Sequence, residues 1–309
     1  MNRSNATYWI SEYVHCILAE CSSDSLSELH FKALGEYSLL LTILRSHSPN
    51  EWRLILDSPK FKKVASRIRT SCNFRSESLE HCQLAQFLAI ALDQDFLPRG
   101  DILETIKKPP ASNLVSLEHY YLMEVAGLQG APDFWMDATL AFLSNAFTHG
   151  VNIADQYQMT HLIFFSTDFG RREMAAPYAQ QRILLQIIDR SLELAIKDVN
   201  CDLVAELCIS GLLIDSNFLA SSLAQNSLAL LAESQSEEGW LMPDYSAYQD
   251  STPPNPNERG NVQYALFHTT CVAIVLDTLM RKCNAKWPNN SFQRTGKMLR
   301  ILPSAELQR

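Results

Sequence analysis

Apolar residues recur at intervals of three and four along almost the whole chain, the spacing that lines one face of an α-helix. The pattern predicts twelve helical segments in six consecutive pairs: 6–22 with 27–46, 50–72 with 76–93, 100–108 with 116–129, 132–147 with 154–168, 176–197 with 201–214, and 217–234 with 261–283. Breaks between segments carry the residues that end or start helices. Ser25 or Ser27 can accept from the free N–H groups of the second segment, Glu77 and Glu80 complement the positive end of the fourth, and Pro132 suits a first turn. His149-Gly150 and Gly170 mark helix ends where a left-handed residue is comfortable. No alternating run predicts a strand.

The second member of each pair carries a polar residue in an apolar setting: His30, His81, His119, His161, Glu206 and His268. Their mean spacing of about 48 residues is close to the length of an αα-hairpin with its connections, so the chain reads as six degenerate hairpin repeats. Open solenoids keep stricter repeats and polar caps, whereas irregular repeats of long apolar helices suit closure. The expected architecture is all-α, an (α/α)6 toroid or barrel of about twelve helices formed by residues 1–284. The polar, nonperiodic residues 285–309 are expected to be a poorly ordered tail.

Composition agrees with helices and narrows the partners. The 309 residues are 47% hydrophobic, with only 10 glycines and 13 prolines, so there is ample core and little turn material. A net charge of −8 argues against nucleic acid or an anionic membrane surface. No export signal and no continuous apolar run of membrane-spanning length stand out, so no membrane insertion and a cytoplasmic location are expected. The composition leaves oligomeric state open. Eight cysteines without a C-x-x-C pair read as small buried hydrophobes. Lys60, Lys62, Lys63, Arg67 and Arg69 read as a solvated helix face.

Candidate chemistry lies where polar groups interrupt the most apolar helices. His161 and Asp168 are seven positions apart, which on a continuous helix places them on one face, two turns from each other. Asp202 and Glu206 are four apart on a helix that is otherwise nearly all apolar; two stacked carboxylates either bind a cation or keep one carboxyl protonated. His268 sits in Gln263-Tyr264-Ala-Leu-Phe-His268-Thr-Thr, which repeats the Gln-Tyr and central His of Gln156-Tyr157-Gln-Met-Thr-His161, so the two segments are expected to be equivalent inner helices. The candidate catalytic set is His161, Asp168, Asp202, Glu206 and His268, with His161, Asp202 and His268 as candidate ligands of a divalent metal such as zinc. The plain alternative is that Asp202 belongs to a helix cap, Glu206 meets an Arg, and each His is a satisfied core residue.

Gln235-Ser-Glu-Glu-Gly239-Trp240 resembles the Gln-x(2–5)-Gly-x-Trp element of squalene-type cyclases and, more loosely, of protein prenyltransferase β subunits, where it stitches one hairpin of a toroid to the next. Phe267-His268-Thr269-Thr270-Cys271 resembles the Tyr-His-Thr-x-Tyr segment of those β subunits, which implies a zinc-ligand role for His268. The Asp-x-Cys ligand pair, the Asp-x-Asp-Asp acid and the Asp-rich magnesium motif of these enzymes are missing. Taken together, Thr160-His161, Thr167-Asp168-Phe-Gly170, Asp202-x-x-x-Glu206 and His268-Thr-Thr are similar to a bacterial family of toroid-like proteins found beside natural-product genes, a resemblance that spans roughly residues 10–283. That resemblance implies a fold and no reaction; the function expected from the central cavity of such a fold and the candidate residues is a biosynthetic enzyme acting on a small apolar molecule, by acid/base or metal-assisted chemistry. The alternative is a non-catalytic α-helical protein that binds a ligand or a partner. The Pro-rich loop before the last helix is the candidate lid.

Overall fold

The apolar periodicity becomes helices throughout the part of the chain described by a computed structural model, which comprises residues 1–20, 28–57, 116–125, 133–243 and 256–283. Among the described residues the order is α1 (Arg3–Glu20), α2 (Glu28–His47), α3 (Pro49–Asp57), α4 (Ser116–Val125), α5 (Phe134–His149), α6 (Ile153–Ser166), α7 (Tyr178–Lys197), α8 (Cys201–Ile214), a 3-10 turn (Phe218–Ala220), α9 (Ser222–Glu233) and α10 (Pro256–Lys282). They include no strand, and their one isolated bridge joins Gln235 to Leu241. The expected helices over 58–72, 76–93 and 100–108, the basic run after Pro59, His81, the His119 side chain, the middle of the candidate lid and the C-terminal tail lie outside the described residues.

Helix α8 is the hub. Its sequence CDLVAELCISGLLI is apolar all round except for the line of Asp202, Glu206 and Ser210, and a helix of that kind is stable only when it is enclosed. Every residue from Cys201 to Leu212 is buried, and α6, α7, α9, α10 and the 3-10 turn pack around it. Each fully buried Leu in this helix contributes roughly 2 kcal/mol relative to exposure. Gly211 allows the closest approach, because a Cβ there would stand 2.3 Å from the Phe218 ring. The neighbouring α7 shows the complementary pattern: Leu184, Ile188, Leu192 and Ala195 are buried on one face, and the other face is polar.

Helix ends follow side-chain chemistry. Asn152 opens α6 by accepting from the N–H groups of Ala154 and Asp155, and Asp155 reaches back to the N–H of Asn152. Asn200 accepts from Leu203 N–H at 3.0 Å and so caps α8, after a tight turn in which Val199 is left-handed. Asp202 therefore sits in the first turn of α8 without being its cap. Helix α10 begins at Pro256, five residues earlier than the apolar pattern predicts, in keeping with the tolerance of a first helical position for proline. Its window Asn261–Lys282 is long and apolar enough to cross a membrane by length and composition, and 67% of it is buried inside the protein, where α10 packs on α1, α2 and α8.

The Gln235–Trp240 element bonds to the start of the chain. Gln235 Nε2 donates to the Gly239 carbonyl at 2.8 Å and to the Asn2 carbonyl at 3.2 Å, and its Oε1 accepts from Asn2 N–H. Gly239 has φ +109°, and a Cβ on it would stand 2.3 Å from the Asn5 backbone. The turn after α9 is thereby locked to the start of α1.

One expected geometry is corrected. His161 and Asp168 do not share a helix face, because α6 ends at Ser166 and the chain then runs through three left-handed residues, Asp168, Phe169 and Gly170 (φ 49°, 50° and 81°). Arg172 donates to the carbonyls of Phe165 and Ser166, and Lys282 to that of Gly170, so this turn is held by cations at the carbonyl end of α6.

Candidate functional site

Four helices bring one group of ionisable side chains together. From α8, Asp202 and Glu206 project one turn apart on the same face. From α10, the imidazole of His268 lies between them, with Nε2 3.4 Å from Asp202 Oδ1 and 3.6 Å from Glu206 Oε1. From α6, His161 Nε2 stands 4.0 Å from the same Glu206 oxygen. From α2, Glu36 Oε1 is 3.0 Å from the other ring nitrogen of His268, Nδ1. One ligand atom from each of Asp202, Glu206 and His268 lies within 4.8 Å of the other two. The group is graded in depth: the Glu206 side chain is 2% exposed, Asp202 13%, His268 27% and His161 37%. His161 is thus at the rim and Glu206 at the floor.

Of the five residues singled out in the sequence, His161, Asp202, Glu206 and His268 come together, and Asp168 does not. Asp168 is held elsewhere, accepting from Tyr121 OH at 2.7 Å and from Arg171 at 2.7 Å. Glu206 meets the two imidazoles and Thr160 instead of an Arg.

The remaining contacts are made by residues outside the candidate catalytic set, all of them within the quoted motifs. Tyr157 OH donates to Asp202 Oδ2 at 3.0 Å, Thr269 Oγ1 to Asp202 Oδ1 at 2.9 Å, and Thr160 Oγ1 to Glu206 Oε2. Tyr264 OH donates to Glu36, and its ring stacks on His268. The repeated Gln-Tyr-x-x-x-His segment contained the signal for both tyrosines: in α6 and in α10 the Tyr precedes its His by four residues, hence one turn on the same face, and each phenol binds a carboxylate of the cluster. Thr270 faces away and accepts from Leu241 N–H.

Electrostatics split the group into unequal members. Burial works against a charged His268, yet Glu36, Asp202 and Glu206 outweigh it and hold the ring well above the usual imidazole value. Burial, reinforced by Glu206, pushes Asp202 up in spite of His268. Burial also opposes ionisation of Glu206, but its bond from His268 and the nearness of His161 more than compensate and pull it below the ordinary carboxylate range. Burial raises the phenols of Tyr157 and Tyr264, so both stay hydrogen-bond donors. Three carboxylates face two imidazoles, and two buried polar atoms, Glu36 Oε2 and His268 Nδ1, lack a well-directed hydrogen bond.

A mixed set of imidazole nitrogen and carboxylate oxygen suits zinc, iron, manganese or nickel better than magnesium or calcium, which prefer oxygen alone. Bonds of the usual ~2.1 Å put neighbouring ligand atoms of a tetrahedral ion about 3.4 Å apart. The separations of 3.4 and 3.6 Å around His268 Nε2 fall in that range. Phe164 and Phe165 lie beside His161, with ring centroids 6.3 and 5.8 Å away, and supply apolar surface on one side.

Residues 74–278, about two thirds of the chain, match the family described as "Domain of unknown function (DUF6895)", and the chain belongs to that family. No curated protein and no solved structure matches it. The matched stretch contains His161, Asp202, Glu206 and His268, whereas Glu36 comes from the helix before it.

Proposed function

We propose that this chain is a divalent-metal protein of enzymatic type, with Asp202, Glu206 and His268 as ligands of one transition-metal ion and His161 at the rim as a further ligand or proton-transfer group. The observation that carries the reading is the convergence of Asp202, Glu206 and His268 ligand atoms within 4.8 Å of one another, two of the separations being 3.4 and 3.6 Å, with His161 4.0 Å from Glu206 and, counting Glu36, more carboxylates than imidazoles. An ion held there would supply Lewis-acid or water-activating chemistry. Asp202 gives up its proton when it binds the ion, which leaves His161 at the rim as the chain's own candidate for proton transfer. The aromatic rings beside His161 and His268 suit a small apolar molecule better than a sugar.

A closed (α/α)6 arrangement with a central cavity is part of the same proposal. It is supported by the packing of the first helix, α1, on the last, α10, and by the Gln235 bonds that tie the turn after α9 to Asn2.

A second reading, a non-catalytic binding protein, draws on the bonds from Tyr157, Thr160 and Thr269, which satisfy Asp202 and Glu206 with no ligand present. Metal analysis of the purified protein separates the two. One equivalent of ion is expected in the wild type and a deficit in the His268→Ala and His161→Ala variants, with His268→Ala the more severe. Absence of metal from all three, after growth and reconstitution with zinc, iron and manganese, would discard the metal reading in favour of the binding protein.

A further inference from the structure

We propose that Glu36 is a positioning residue for the ion: its carboxylate holds Nδ1 of His268 and thereby aims Nε2 at the space between Asp202 and Glu206. This inference rests on the metal reading and adds to it a helix, α2, that lies before the stretch matched to the family.

The argument starts from the two ends of one imidazole. The ring nitrogens point in divergent directions, so a carboxylate beside Nδ1 does not share an ion with Nε2. Glu36 Oε1 is 3.0 Å from Nδ1, while the oxygens of Asp202 and Glu206 lie 3.4 and 3.6 Å from Nε2. An imidazole bound to metal keeps one proton, and a carboxylate next to Nδ1 retains it there, so that the Nε2 proton is the one given up to the ion. Ligand histidines are commonly fixed by a carboxylate in this way, which sets the tautomer and raises the basicity of the ligand nitrogen.

Glu36 is itself held. Tyr264 OH donates to it, the Tyr264 ring stacks on His268 with centroids 6.2 Å apart, and Lys32 Nζ lies 5.1 Å from the centre of that ring. The close packing of α2 on α10 keeps the carboxylate and the imidazole in register. Glu36 Oε1 meets Nδ1 as an ion-pair contact without the direction of a hydrogen bond, and Glu36 Oε2 has no hydrogen-bond partner.

The test is a titration of the metal-free, full-length chain with Co2+, read by its visible absorption and by competition with a chelator. Wild type is expected to take up one ion. Glu36→Gln is expected to keep that stoichiometry but bind about 10- to 100-fold more weakly, with an altered Co2+ spectrum. Glu36→Asp, which keeps the charge and withdraws it by one methylene, should fall between the two. Thermal melts in chelator identify any variant that has lost its fold; should Glu36→Gln do so, Glu36→Asp decides by the same criterion. Wild-type affinity and spectrum in every folded Glu36 variant overturn the positioning role while leaving the metal reading intact. A wild type that takes up no Co2+ overturns the metal reading, and the role of Glu36 falls with it.

Discussion

Helix α10 carries two buried clusters of charge, centred on His268 and on Asp277, nine residues and about 14 Å apart along its axis. The second cluster has no excess of carboxylates, with the Met1 ammonium near Asp277 beside its two guanidiniums. Arg3 donates through Nε to Glu51 at 2.8 Å and through a terminal nitrogen to Asp277 at 2.5 Å, and Arg281 Nε donates to the same Asp277 oxygen at 2.8 Å. Two guanidiniums face two carboxylates, and the bonds run from the start of α1 to α3 and the end of α10. Burial opposes the charge on Arg3, but its bonds to Glu51 and Asp277 prevail. The first cluster is unbalanced, with three carboxylates around two imidazoles and with orphaned buried atoms. Carboxylates matched by cations in good geometry read as architecture, whereas excess charge left buried reads as readiness for a ligand.

The contrast can be broken most forcefully at Arg3. Arg3→Met takes from the buried Asp277 its buried guanidinium partner, and removal of one member of a buried pair typically costs about 3 to 5 kcal/mol. Urea denaturation should show a loss of that size, while the folded variant still takes up its ion. A loss below about 1 kcal/mol would mean that the Arg3 cluster does not hold the ends of the described chain together.

Asp202→Asn should act in the opposite direction. Burial and Glu206 make the Asp202 charge unfavourable, and an amide removes the charge while keeping an acceptor for Thr269 or Tyr157. Stability of the metal-free protein is expected to rise by about 1 kcal/mol, the scale on which functional sites sacrifice stability. Ion uptake is expected to fall sharply in the same variant. A destabilised Asp202→Asn protein would place this cluster beside that of Arg3, as architecture.

The sequence made one side of this comparison visible and hid the other. Asp202, Glu206, His161 and His268 stand out because each interrupts a helix that is apolar around them, and helical spacing says which of them share a face. Glu36, in Leu34-Gly-Glu36-Tyr37, looks like any surface acid of a half-polar helix; only the packing of α2 against α10 gives it a purpose, and His30 was the more conspicuous residue on that helix. Arg3 and Asp277, 274 positions apart, leave no local trace of their pairing. Helix existence was legible from periodicity, yet the end of α6 was not: Asp168 tolerates a left-handed backbone, but Phe169 does so only because tertiary contacts impose it. Aromatic contacts of Phe169 with Tyr121 and Phe165 supply part of that constraint.

The left-handed turn offers the gentlest test, on a histidine that belongs to neither cluster. His47 Nε2 contacts the Phe169 carbonyl at 2.9 Å. Burial foremost, then the positive charges of Lys282 and Arg171, hold His47 below its ordinary value, although the bond to Phe169 and the charge of Asp168 pull the other way. A folded-state value below the unfolded one means that the unfolded chain takes up this proton first on acidification. The contribution of His47 is therefore complete above the unfolded value of about 6.5 and is lost as pH falls through the folded value. Between about pH 7.5 and 5.5 the urea midpoint of the wild type should fall more than that of His47→Gln, which keeps a polar side chain but does not titrate. Both proteins carry the same site histidines, so the difference between their slopes isolates His47. Equal slopes would show that the turn after α6 senses no charge on this ring, and that its strained residues are held by Arg172, Lys282 and aromatic packing alone.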